Sequence, residues 1–482
     1  MHDATVIGSG PNGLAAAVTL ARAGLSVTVL ERNTTIGGGA RTEELTLPGF
    51  RHDVCSAVHP MAVQSEFFRR FRLQDRIELR WPDVQYAHPL SGDRAGIAYQ
   101  DLGRTADGLG ADGAAYSRLL APLVERVDEL SHFANDSLVN IPQHPVTLVR
   151  FARRVLEQGS PAWNARFRHD IAPAMLTGVA AHSIRRMPSL ATAASALTLG
   201  VYAHARGWPV PVGGSRTIID ALASDLIAHG GEIVTDHDVR SLRDLEPSRV
   251  TLFDTSVPAM LRIAGSTVPA AIRRSLRRFR FGNGVAKVDF ALSEPIPWSN
   301  PDVRRAGTVH IGGTRTEIAA AEHAVAHGRH HPRPFVLGSQ PTVVDPTRAP
   351  EGQHVFWSYA HVPAGSTVDQ ADIVSSQIER FAPGFRDTIL AVSSRTATQM
   401  EEYNPNYVGG DIASGAATFW QLVKRPRLSP EPWVLGNGLY LCSEAASPGP
   451  GVHGMAGWHA ARSALRNTFH LPDDFRLADS KG

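Results

Sequence analysis

The sequence predicts an α/β protein: a strand–helix–strand unit at the N-terminus, followed by a mixed α+β region. Three observations carry this. Thr5-Val6-Ile7 is a short β-branched run, and Leu14 to Ala23 is Ala/Leu-rich and helical in pattern. Gly24 stops that helix, and Ser26-Val27-Thr28-Val29-Leu30 reads as a second strand with Glu31 directly after it. Further on, residues 85–207 read mainly as helices broken by Pro161, Pro173 and Pro188. Residues 285–291, 335–337 and 354–359 read as strands, and together they suggest a sheet.

Between the first strand and the helix lies Gly8-Ser9-Gly10-Pro11-Asn12-Gly13, a G-x-G-x-x-G spacing. Gly8 makes the tight turn, Gly10 leaves the backbone open to a pyrophosphate, and Gly13 lets the helix pack close to the sheet. The helix N-terminus supplies free N–H groups and a positive dipole. Glu31 is placed to accept hydrogen bonds from an adenosine ribose. An acid there disfavours a 2′-phosphate, although Arg32 beside it leaves that question open. Ile36-Gly37-Gly38-Gly39-Ala40-Arg41-Thr42 adds a second glycine run. Arg41 either neutralises pyrophosphate charge or is a solvated turn residue.

The chain's 482 residues predict about two to four domains. At 43% hydrophobic and 20% charged, it can bury a large core, which excludes disorder as its main state. A formal charge of +2 gives no sign of a nucleic-acid binder. Cys55 and Cys442 are too few for a disulfide framework or a Cys-rich zinc site, and their spacing offers no paired-cysteine redox motif. There is no G-x-S-x-G nucleophile elbow. His323, His327, His330 and His331 have partial ligand spacing but no further ligand pattern, so no metal is expected. No apolar run approaches the roughly 20 residues needed to span a bilayer. A glycine motif stands where a signal peptide would need its apolar core, so the expected compartment is cytoplasmic.

Glu31, Gly37-Gly38 and Arg41-Thr42 resemble the E-x5-G-G-x-x-[RK]-T extension of FAD-dependent desaturases and amine oxidases. Gly438 to Glu444, then Pro448 to Gly457 and Ala460-Ala461, resemble the closing flavin motif of the phytoene dehydrogenase-like superfamily. Trp208 to Gly214, Gly230 to Val239, and Asn404 to Asp411 with Arg425-Pro426 are similar to further blocks of that superfamily. Ser443-Glu444 departs from the Gly-Asp or Gly-Ala pair that members often carry. The resemblance implies a Rossmann-like FAD-binding domain of the amine-oxidase type with a discontinuous, mixed α+β substrate domain. The FAD-binding domain would comprise residues 1–84, 208–260 and 434–482, and the substrate domain residues 85–207 and 261–433, with a helical part and a sheet over the flavin.

The resemblance also implies roles. Gly38, Arg41 and Thr42 would hold the cofactor, the Val239 backbone would meet the adenine, and Glu444 the ribityl chain. Gly454 would open a helix whose Met455 N–H points at flavin O2. A single fingerprint implies one FAD and an external electron acceptor, a quinone or oxygen. Lys287 resembles the strand lysine of flavin amine oxidases, which holds a water near N5; the alternative is a solvated lysine. His453 faces the pyrimidine or the substrate, or else caps a turn. His59, after Asp53 and Ser56, is an acid/base candidate or a satisfied buried histidine. Met175 to Ala205 walls a lipophilic pocket or is core. Arg273, Arg274, Arg277, Arg278 and Arg280 form a helical face for an anionic membrane, or a solvated one. The expected activity is desaturation or isomerisation of a hydrophobic, isoprenoid-like substrate. C–N oxidation and a catalytically silent assembly factor are the alternatives.

Overall fold

The computed structural model describes residues 2–473 and Leu477, so the end of the 434–482 segment lies outside the described residues. Three distant stretches of chain build a six-stranded sheet. Its order is Val434–Gly436, Leu439–Leu441, Ser248–Phe253, His2–Ile7, Val27–Leu30 and Glu232–Val234. All but the first run parallel. Parallel strands are covered on both faces, which explains the continuous Val/Ile/Leu runs. Helices Pro11–Arg22, Arg216–Ala228 and Met455–Ala464 supply part of that cover. A Cβ on Gly457 would lie 1.8 Å from the Asn12 carbonyl oxygen, so the first and last of these helices meet backbone to backbone.

A seven-stranded sheet stands beside it, ordered Ile389–Arg395, Gly284–Leu292, His354–Val362, Val336–Ser339, Ala306–Ile311, Val84–Pro89 and Ala95–Tyr99. Only Val84–Pro89 with Ala306–Ile311 is a parallel pair. One face packs Val288, Phe290, Phe356 and Val309 against Val374 and Ile378 of helix Ala371–Glu379. The other turns Val285, Tyr359, Leu337 and Tyr86 toward a helical layer of Gly113–Val124, Val127–Ala134, Pro145–Gln158, Ile171–Ala181 and Leu190–Ala205.

Three expectations change. Residues 84–99 form a hairpin of the second sheet, turned at Ser91-Gly92-Asp93, and the helices begin only at Leu102. Only Glu232–Val234 is a strand in the 230–239 block, and Val239 lies in irregular chain. The arginine run is not one helix: Ala270–Leu276 ends before Arg277, and the strand from Gly284 follows. In the Met175 to Ala205 segment, helix Ile171–Ala181 is buried nearly all round. Its Leu176, Thr177 and Ala180 also line a small cavity with Ala193, Ala196 and Leu197 of helix Leu190–Ala205.

Candidate active site

The parallel strands end at one cleft. Ligands bind outside the carboxyl ends of such strands, because helix N-termini and loops converge there. Gly8, Gly10, Glu31, Arg32, Gly38, Arg41, Val239 and Glu444 all line it. Glycine is required where the two glycine runs touch: a Cβ on Gly38 would stand 3.1 Å from the Gly10 Cα. Gly8, at φ +101°, would push a Cβ to 2.6 Å from the Asp254 carbonyl oxygen.

Glu31 is already well partnered. One carboxylate oxygen accepts from Ser9 N (3.1 Å) and Ser9 Oγ (2.6 Å), the other from Asn33 N (2.9 Å) and Asn33 Nδ2 (3.0 Å). A carboxylate has about four acceptor sites, so a ribose hydroxyl must replace one of these donors. Arg41 is buried, not solvated: it donates to the Thr35 carbonyl at 2.6 Å, lies 3.6 Å from Glu31 and covers the Tyr403 ring.

Four expected cofactor residues lie outside the cleft lining. Gly13 packs against Gly8 and gives its N–H to Asp254 at 3.0 Å. Thr42 turns away and donates to Asp53 at 2.7 Å, while Asp53 also pairs with Arg348 at 2.6 Å. Gly454 lies where a Cβ would strike Phe67 at 2.5 Å. Met455 gives its N–H to His453 Nδ1 at 3.0 Å, so that group is engaged in its own turn.

That bond fixes His453 as well. Its Nδ1 accepts, so Nε2 carries the proton and donates to the Gly449 carbonyl at 3.0 Å. His453 is a buried capping residue rather than a group facing the cleft. His59 is also buried. Ser215 Oγ donates to the Ser56 carbonyl, so His59 Nε2 carries its proton and donates to Ser215 Oγ at 2.7 Å. Burial holds both imidazoles down at about 4, hence neutral.

Lys287 is not solvated. It ion-pairs with Asp289 inside the second sheet, and its Nζ stands 4.9 Å from the Trp357 ring centroid. Burial lowers the lysine and pushes Asp289 up to about 6. Lys287 does not line the cleft, whose lining includes Tyr407. A Cβ on Gly39 would lie 2.1 Å from the Tyr407 hydroxyl. Cys55 and Cys442 are both buried and free.

Asp254, Asn406, Tyr407 and Ser414 also line the cleft. Asn406 and Tyr407 fall in the Asn404 to Asp411 block, whereas Asp254 and Ser414 were unforeseen from the sequence. Asp254 had a readable signal: like Glu31, it is an acid directly after a short strand-like run, Val250-Thr251-Leu252-Phe253 here and Val27-Thr28-Val29-Leu30 there. Among the described residues, no group of three or more His, Cys, Asp or Glu side chains is arranged to hold a metal.

Residues 6–71 match the NAD(P)-binding Rossmann-like domain family. The chain is 26% identical over 552 residues to pyridine nucleotide-disulfide oxidoreductase domain-containing protein 2 of Rattus norvegicus, covering 97% of this chain and 94% of that one. A shorter match, 41% over 76 residues, joins 16% of this chain to 15% of a carotenoid 3,4-desaturase of Haloarcula japonica. A putrescine oxidase variant superposes with a TM-score of 0.61 at 14% identity, over 96% of this chain and 98% of that one. Cyclohexylamine oxidase from Brevibacterium oxydans gives 0.59 at 16% identity, over 97% and 99%. The fold is that of the flavin amine oxidases.

Proposed function

We propose that the protein is an FAD-dependent oxidoreductase that desaturates, or isomerises, a hydrophobic isoprenoid-like substrate. The observation that carries this reading is the single cleft joining both glycine runs to Glu31, Val239 and Glu444. Its walls fit a dinucleotide, because side chains are missing where Gly10 and Gly38 approach each other. Gly8, Gly10 and the N-terminus of helix Pro11–Arg22 would hold the pyrophosphate, Glu31 and Val239 the adenosine, and Ser443 and Glu444 the ribityl chain. Bound flavin supplies a hydride acceptor at N5. The chain's part is to exclude water and orient the substrate: Tyr359 and Trp357 of the second sheet are buried beside Lys287. The short desaturase match supports this substrate class. Electrons would leave to a quinone or oxygen.

Among the described residues, no helix is long and apolar enough to cross a membrane. Arg274, Arg277, Arg278 and Arg280 are exposed, which supports peripheral contact with an anionic membrane as a route for lipophilic substrate. A second reading, oxidation at a C–N bond, is favoured by the buried Lys287 and by the amine oxidase neighbours. The relative's disulfide-oxidoreductase name finds no matching chemistry here. Burial raises Cys55 to about 11 and also raises Cys442, away from the reactive thiolate.

The test is an anaerobic visible titration of the purified protein with phytoene in micelles. Bleaching of an oxidised flavin band is the expected result. A band that stays oxidised with phytoene but bleaches with amines favours the second reading. A purified protein that neither carries nor takes up flavin overturns both.

A further inference from the structure

Three acids stand at the carboxyl ends of the parallel strands and line the cleft: Glu31, Asp254 and Glu444. Their settings differ. Glu31 accepts from Ser9 and Asn33 and faces Arg41. The Glu444 backbone carbonyl accepts from Arg425 at 2.9 Å, and its carboxyl accepts from Ser414. Asp254 lies against the fingerprint loop itself. Its Oδ2 accepts the Gly13 N–H at 3.0 Å, and stands 2.5 Å from where a Gly10 Cβ would be. That is the N-terminus of a twelve-residue helix, the place where a dinucleotide's pyrophosphate is seated.

Resting on the FAD reading above, we propose that Asp254 is a proton-controlled part of the pyrophosphate seat. With its proton on, the carboxyl is neutral and lets the doubly anionic pyrophosphate settle on the remaining N–H groups. With its proton off, the carboxylate holds the helix N-terminus itself and repels the phosphates. Where the free carboxyl is ionised, cofactor binding therefore takes up a proton at this residue; where it is already neutral, binding takes up none.

The surroundings place the switch in an accessible range. Burial, together with the charges of Glu444 and Glu31, pushes Asp254 up to about 8. Cys442 lies beside it in the sheet, and Arg262, from helix Val257–Ala264, lines the same cleft. Arg32, Arg41, His237 and Asp238 complete the charged lining. A bound pyrophosphate raises the carboxyl further. The sign follows: below about pH 8 the proton is already in place and affinity is flat in this group. Above it the proton must be taken from solvent, and the dissociation constant rises up to tenfold per pH unit.

The experiment is equilibrium titration of the deflavinated full chain with FAD, read by quenching of flavin fluorescence, from pH 6.5 to 9.5. Wild type is compared with Asp254→Asn and Glu444→Gln. Asparagine keeps an acceptor oxygen for the Gly13 N–H and removes the charge. The expected result is a steep weakening above pH 8 in wild type, a flat profile in Asp254→Asn, and about tenfold tighter binding by Asp254→Asn than by wild type at pH 9. In Glu444→Gln the same slope sets in at lower pH, because the lost charge no longer raises Asp254, and overall affinity is weaker because a ribityl partner is gone. A flat wild-type profile, or a slope that survives in Asp254→Asn, overturns the proposal while leaving the FAD reading intact. If no folded variant binds FAD at any pH, the FAD reading falls and takes the proposal with it.

Discussion

At Gly10 the backbone is extended, φ −67° and ψ 173°, a conformation any residue adopts. A substitution there acts by occupying space alone. Gly10→Ala places a methyl against Asp254 Oδ2, and Gly10→Leu fills the pyrophosphate path. Both variants should fold with a Tm within a few degrees of wild type. Flavin content after purification should fall strongly for alanine and vanish for leucine; a fully flavinated Gly10→Leu protein would mean the fingerprint is misplaced. Lys287 needs a different test, since its pairing with Asp289 gives it a structural role beside any chemical one. Lys287→Met leaves a buried carboxyl without its cation, which costs about 3–5 kcal/mol. Lys287→Met with Asp289→Asn removes both charges and should recover most of that in urea unfolding. If the double variant is stable yet its flavin is reduced and reoxidised as in wild type, the lysine has no catalytic part. The fingerprint and Glu31 were legible because their meaning lies in spacing along the chain. The states of His59 and His453 were not: the first is set by Ser215, 156 positions away, and the second by which ring nitrogen its own turn engages.

Helix Ile171–Ala181 shows how one glycine sets the distance between two layers. A Cβ on Gly178 would lie 2.7 Å from His88 Nδ1 and 2.8 Å from His310 Cβ, so the helix backbone rests directly on the second sheet. Gly200, in the neighbouring helix Leu190–Ala205, has nothing within 4 Å of its Cβ position. Helix propensity alone favours alanine at both sites by about 1 kcal/mol. Overpacking costs about 1–3 kcal/mol and should win at the first site only. Gly200→Ala should therefore raise the urea midpoint and Gly178→Ala lower it. The same sign for both would mean that the layers are not in the described contact. Most elements were legible from apolar period: the Leu14–Ala23 pattern became helix Pro11–Arg22, and the 285–291 alternation became strand Gly284–Leu292. Residues 84–99 were misread because Tyr86, Ala87 and Ala98 are buried against layers supplied by other parts of the chain, which blurs the alternation. The arginine run failed for the opposite reason. Its spacing suits a helix, but the strand from Gly284 draws the chain away.

Assembly of the six-stranded sheet from residues near 2–30, 232–253 and 434–441 has no signature in local pattern, and its discontinuity was suggested only by resemblance. What closure of these layers does carry is a shared electrostatic cost. Burial pushes His52 and His182 down to about 3, and His59, His88, His204 and His453 to about 4. In the helix–sheet interface, His182 Nε2 and His310 Nε2 meet at 2.9 Å, a bond that survives only while one of the two nitrogens lacks a proton. Unfolded histidines titrate near 6.5. Their folded values are depressed, so the unfolded state binds more protons, and stability is complete above about 6.5 and lost as pH falls toward 4. Asp254, Asp289 and Glu444 act the other way, raised to about 8, 6 and 7. They add stability as pH falls from 8, before the histidines engage. Stability of the cofactor-free chain should therefore peak near pH 6.5. Below that the six histidines outweigh the three carboxyls, a net slope of about 4 kcal/mol per pH unit at about 1.4 kcal/mol per proton. Against a total of about 5–15 kcal/mol, such a slope unfolds the chain between about pH 5 and 4. Urea midpoints measured from pH 4 to 8 check this: a maximum near 6.5 with a steep acid limb is expected. A midpoint that stays level or climbs down to pH 4.5 would mean that these histidines are not neutral and buried together in the folded protein.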